Sequence, residues 1–77
     1  MTIIRAGMKT TIILMGHGSS VKEANDEVAA VAELVGRMDD RYAVKSCFLQ
    51  LAAPTFMEAA GASVQEGVER IILIPYF

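Results

Sequence analysis

His17 is the only histidine in this chain. Gly16 and Gly18 flank it, and Ser19 and Ser20 follow. A neutral imidazole suits borderline divalent metals such as cobalt or iron. Histidine also titrates near neutral pH, so the same kind of ring can accept a proton. The two glycines add no side-chain bulk, which lets the turn approach a flat ligand closely. These residue types alone leave two roles open: metal binding coupled to proton transfer, or a turn histidine hydrogen-bonded to main chain. Stable metal sites take three or four protein ligands, so one imidazole needs help, for instance from His17 of a second copy.

The elements that must position His17 follow from the pattern around it. Thr10 to Met15 is an apolar run without polar alternation, as expected of a parallel strand covered on both faces. It stops at Gly16, and Ser20 with Glu23 forms the S-x-x-E pattern of a capping box. A helix is predicted from Val21 to Met38, with Val21, Ala24, Val28, Val31, Val35 and Met38 as the stripe facing the sheet. Lys22, Glu23, Asp26, Glu27, Glu33 and Arg37 fall mostly off that stripe and read as a solvated face. Tyr42 to Leu49 is the second strand, and Gln50 marks its carboxyl end. Pro54 suits the first turn of a second helix, whose apolar side is read as Phe56, Met57, Ala60 and Val64. Gly67 is its expected C-terminal cap. Arg70 to Phe77 is a third strand, apolar on both faces.

The order β-α-β-α-β with right-handed crossovers gives a flavodoxin-like parallel sheet of order 2-1-3. Residues 1–9 are expected to be a lead-in, with Met8 an alternative start. Residues 10–77 form one α/β domain, expected to be incomplete at its C-terminus because the pattern stops on an apolar strand. The carboxyl ends of the strands converge in this topology. They bring His17, Gln50 and Pro75-Tyr76-Phe77 to one rim, the place where such sheets bind ligands.

Composition narrows the function classes. The chain has 77 residues, 53% of them hydrophobic, and a formal net charge of −2. So small an α/β unit hides a limited share of its surface, and an oligomer or a longer chain is expected. No basic stripe interleaved with aromatics appears, which argues against nucleic acid. No stretch approaches the roughly 18 apolar residues that span a bilayer, and the N-terminus does not read as a signal peptide. Cys47 is the single cysteine, so no internal disulfide framework exists, which fits a reducing cytoplasm. Mid-strand, it reads as a small buried hydrophobe. No internal repeat is visible.

Three segments together resemble one family. Leu14-Met15-Gly16-His17-Gly18-Ser19-Ser20, with Asn25 in the following helix, is similar to the opening of the small sirohydrochlorin chelatases, the class II chelatase group. Cys47-Phe48-Leu49-Gln50-Leu51-Ala52-Ala53-Pro54-Thr55 is similar to the family's second-strand segment, usually F-L-E followed shortly by proline. Gly67 to Phe77 is similar to its third-strand segment, which runs from a glycine through an arginine and a hydrophobic strand to P-x-F. The resemblance covers nearly everything from Thr10 on. Two departures stand out. Gln50 replaces the family's usual carboxylate, and the family's second metal-binding histidine falls beyond the third strand, past Phe77.

The resemblance implies a lyase that inserts cobalt or ferrous iron into the tetrapyrrole sirohydrochlorin, on the route to cobalamin or siroheme. It implies no organic cofactor, because the divalent metal is itself a substrate, and a cytoplasmic homodimer. His17 would be metal ligand and proton acceptor. Gly18, Ser19, Gln50, Tyr76 and Phe77 would meet the macrocycle. Each has a plainer alternative: loop-end capping for the serines, a solvated strand end for Gln50, core or dimer packing for Tyr76 and Phe77. Asn25 either braces the histidine loop or points to solvent. The other readings are a non-catalytic metal- or tetrapyrrole-binding fragment or partner subunit, and, further off, an anion loop over Gly16 to Ser20. That loop lacks both a P-loop lysine and the G-x-G-x-x-G spacing.

Overall fold

The computed structural model describes residues 9–76. Most of the expected lead-in, residues 1–8 with Met8, lies outside the described residues, and so does Phe77. The element order is β1 (Thr10–Gly16), α1 (Lys22–Met38), β2 (Ala43–Phe48), α2 (Phe56–Gln65) and β3 (Arg70–Tyr76). The three strands form one sheet in the order β2-β1-β3, with both pairings parallel. The expected fold class and strand order hold.

β1 lies at the centre because its residues tolerate cover on both faces. Ile13 and Thr11 are fully buried, and Leu14 is nearly so. Period-two alternation divides the strand. Ile13 joins Cys47 and Ala59 in a core cluster, with Met15, Phe56 and Ile71 packed against it. On the opposite face, a Cβ added at Gly16 would stand 2.9 Å from a methyl of Val28. The missing side chain at Gly16 therefore lets α1 lie against the strand end.

Thr11 carries a cost. Its hydroxyl is buried and has no hydrogen-bond partner among the described residues. An unsatisfied buried hydroxyl costs about 1–3 kcal/mol in desolvation. Thr11→Val, which keeps the shape and removes the hydroxyl, is expected to leave stability unchanged or raise it by about 1 kcal/mol. Urea unfolding measures the difference, and a clear loss of stability would show that the hydroxyl is satisfied after all.

The helices correct several details. α1 begins at Lys22, and its N-cap, Val21, makes no side-chain capping bond. The Ser20–Glu23 capping box therefore does not form. The main chain ahead of the helix is satisfied instead by Ser19 and Asn25, as described below. The box appears on α2, where Thr55 Oγ1 accepts from the Glu58 N–H and Glu58 Oε1 accepts from the Thr55 N–H. Pro54 thus lies just before the cap and not in the first turn. Its carbonyl accepts from the Phe48 N–H at 2.9 Å, which closes the β2–α2 loop. Thr55→Ala should lower stability by about 1 kcal/mol, in the usual range for a lost N-cap, as read from the thermal midpoint. Gly67 ends α2 as expected. Its N–H bonds to the Val64 carbonyl and that of Val68 to the Ser63 carbonyl, the two bonds of a Schellman motif.

The apolar faces also shift. On α1, Ala32 is the buried residue, Val28, Val31 and Val35 are half-buried, and the predicted stripe ends Val21 and Met38 are exposed. On α2, Ala59 and Ser63 are buried, whereas Met57 and Val64 are 77% and 67% exposed. Small residues win that face because they let the helix axis come close to the sheet. Ser63 adapts by donating its hydroxyl to the Ala59 carbonyl at 2.9 Å. β3, read from sequence as covered on both faces, pairs with β1 alone among the described residues, and its Leu73, Ile74 and Tyr76 are exposed.

Candidate functional site

The strand ends meet as anticipated. In the last rung of the sheet, Gly16 stands between Phe48 on one side and Tyr76 on the other. The ladder between β1 and β2 then continues into the loops. The Leu49 N–H bonds to the Gly16 carbonyl at 3.0 Å, and the Gln50 N–H to the His17 carbonyl at 3.2 Å. The structure thus brings Gln50 beside His17 through main chain.

Gly18 is where the two loops come closest. Its φ is +93°, and a Cβ built there would lie 1.7 Å from the Gln50 carbonyl oxygen. Only glycine fits, for reasons of both backbone conformation and space. His17, the exposed residue between Gly16 and Gly18, is therefore presented by a turn whose path is set from the β2 side.

The α1 side fixes the other end. The Ser19 N–H donates to Asn25 Oδ1 at 3.0 Å. Asn25 Nδ2 donates to the Ser19 carbonyl at 2.7 Å. Ser19 Oγ in turn accepts from the Val21 N–H at 3.0 Å, leaving its own proton to donate elsewhere. Of the two sequence readings of Asn25, the structure takes the brace.

A cleft of about 250 Å³ opens beside the loop. Its walls include His17, Gly18 and Ser19 from the loop, Asn25, Glu27 and Val28 from α1, and Tyr76 from the end of β3. Gln50, although tied to His17, is not among the residues that wall it. Glu27 is the residue that sequence reasoning missed. It was read as part of a solvated face, yet it supplies the cleft's carboxylate. Spacing along α1 gave no signal for it, because the cleft exists only where Tyr76 at the end of β3 comes near the helix.

The chemistry available at the cleft is that of one imidazole and a few oxygen groups. Among the described residues, no three of His, Cys, Asp or Glu gather closely enough to hold an ion. Cys47 offers no thiolate, because burial pushes its thiol pKa up and it faces the core. What remains is an exposed imidazole, a carboxylate and a phenol around one cleft, reached from the rim of the sheet.

A parallel α/β sheet with an imidazole at its carboxyl rim belongs to the class of proteins that hold ligands at strand ends. Within that class the chain is a member of the CbiX family, whose model matches residues 11–77. It is 35% identical over 66 residues to a sirohydrochlorin cobaltochelatase of Methanopyrus kandleri, a match covering 86% of this chain and 46% of that protein. It is 34% identical over 64 residues to a sirohydrochlorin ferrochelatase of Priestia megaterium, covering 83% of this chain and 24% of that protein. A sirohydrochlorin cobaltochelatase of Methanococcoides burtonii is 32% identical over 69 residues, covering 90% and 53% respectively. The chain thus spans about half the length, or less, of these curated relatives.

Proposed function

We propose that this chain carries the metal-handling part of a sirohydrochlorin chelatase. The observation that carries the reading is His17 itself, held on a glycine turn at the sheet rim and matched within a family whose relatives are named for inserting cobalt or iron. In the reaction a divalent metal replaces two pyrrole protons of the macrocycle, and two protons leave. Both metal and tetrapyrrole are substrates, and no organic cofactor enters. His17 binds the incoming ion and, once the ion has passed to the ring and freed its nitrogen, accepts one of the two protons; the other leaves to solvent. A site of few ligands suits this task, because the ion must be released to the ring.

Gly18 lets the flat macrocycle approach the turn. The Ser19 hydroxyl donates to a substrate carboxylate, and the Gln50 amide hydrogen-bonds the macrocycle's edge or steadies the loop. The Tyr76 ring forms wall against the macrocycle; Phe77, read from sequence for the same role, lies outside the described residues. The site is completed by a second copy of the chain, which contributes another His17, so the working unit is a homodimer in the cytoplasm. No helix among the described residues is long and apolar enough to cross a membrane. Cobalt and ferrous iron share ligand preferences closely, and the proposal includes both, with cobalamin or siroheme as the destination.

Gln50 in place of a carboxylate, together with the sparse donor set, favours one competing reading: a metal- or tetrapyrrole-binding piece without turnover. The two separate in one assay, cobalt insertion into sirohydrochlorin followed by absorbance, with this chain beside its His17→Ala variant. Turnover that disappears in the variant supports the enzyme. Binding of cobalt or tetrapyrrole without turnover supports the binding module. Turnover that survives the substitution removes His17 from the reaction.

A further inference from the structure

Asn25 is an unfavourable choice for a helix interior, where asparagine ranks well below alanine or leucine. In its place within the first turns of α1, the carboxamide makes two bonds to one residue of the histidine loop. Oδ1 takes the Ser19 N–H at 3.0 Å and Nδ2 reaches the Ser19 carbonyl at 2.7 Å. Both bonds are part-buried, which shields them from competing water. One side chain thus satisfies both main-chain groups of Ser19, much as a neighbouring strand would.

The position of this clamp gives it meaning. On its other side the loop is pinned at Gly16 and His17 by main-chain bonds from Leu49 and Gln50. Between the two sets of anchors lies Gly18 at φ +93°, a residue that without a fixed neighbour has many other conformations to visit. The clamp holds Ser19, and with it the far end of the turn that carries the imidazole. Asn25 also lines the cleft that His17 faces.

We infer that Asn25 is the positioning residue of this site: its carboxamide locks Ser19 so that the His17 imidazole is held in place for the incoming metal. This rests on the metal-binding reading of His17 given above. It assigns Asn25 no contact with the metal and no proton transfer.

The test is a cobalt titration of four versions of this chain: parent, His17→Ala, Asn25→Ala and the double variant. Amide hydrogen exchange at Ser19 is followed in the parent and the Asn25 variant. Alanine is the better helix former, so the fold should survive, and Asn25→Leu repeats the test with side-chain bulk retained. Asn25→Ala is expected to weaken cobalt binding roughly tenfold, as lost orienting partners at metal sites do. It should speed Ser19 exchange by a similar factor and add nothing in the His17→Ala background. Parental cobalt affinity in both Asn25 variants, unchanged Ser19 exchange, or losses that multiply in the double variant would each overturn it. Failure of the underlying reading appears in a different arm, as cobalt binding that His17→Ala leaves intact.

Discussion

Gly18→Ala is expected to destabilise the chain by about 2–3 kcal/mol, summing a left-handed backbone penalty of about 1–2 kcal/mol and a lost hydrogen bond of about 1 kcal/mol. The reasoning is geometric. The new Cβ would stand 1.7 Å from the Gln50 carbonyl oxygen, a main-chain atom that cannot rotate away. One loop must move, and the bond from the Gln50 N–H to the His17 carbonyl is the first to go. Gly67 provides the control. Its φ is +80°, but a Cβ there meets nothing within 4 Å. Gly67→Ala should therefore show the backbone penalty alone, and the difference between the two variants in urea unfolding isolates the loop contact. Equal losses at the two positions would mean that the contact contributes nothing. Because His17 rides on the same turn, Gly18→Ala should also lower cobalt affinity, whereas Gly67→Ala should not.

His17→Ala should leave the fold intact, since the side chain is exposed, and reduce cobalt binding at least tenfold, the scale on which metal sites respond even to lost supporting partners. The effect is large because the cleft offers no substitute. Its other side-chain donors are the oxygens of Ser19, Asn25, Glu27 and Tyr76, none of them an imidazole or thiolate, and no cluster of three or more His, Cys, Asp or Glu exists among the described residues. Isothermal titration with cobalt measures the loss. A site shared between two copies adds a further signature: parental affinity should fall on dilution, in step with dissociation seen by sedimentation. Affinity independent of protein concentration would place the whole site within one copy. Binding unchanged in the variant would shift the metal away from the rim altogether.

Much of the architecture is legible in the residues because it depends on local periodicity. The uninterrupted apolar run of β1 marks a strand covered on both faces, and right-handed crossovers then allow few sheet orders. The placement of His17 at the carboxyl rim follows from those two facts, as does the convergence with Tyr76. The Gly67 cap was legible for the same reason, since its bonds span neighbouring residues.

Tertiary structure decided what depends on approach between distant segments. Ser20 and Glu23 have the pattern of a capping box, but Asn25 and Ser19 satisfy the main chain ahead of α1 first, and the box forms at Thr55 and Glu58 instead. α2 turns Ala59 and Ser63 inward because small side chains allow a closer fit to the sheet than Met57 and Val64 would. Glu27 reaches the cleft because β3 ends beside α1, a proximity no spacing along α1 reveals. The need for glycine at position 18 arises from a carbonyl on another loop, brought there by strand register. Short-range sequence sets which elements form and where the imidazole falls among them. Packing between those elements determines which side chains surround it, because distances across a fold depend on every residue that holds the layers apart.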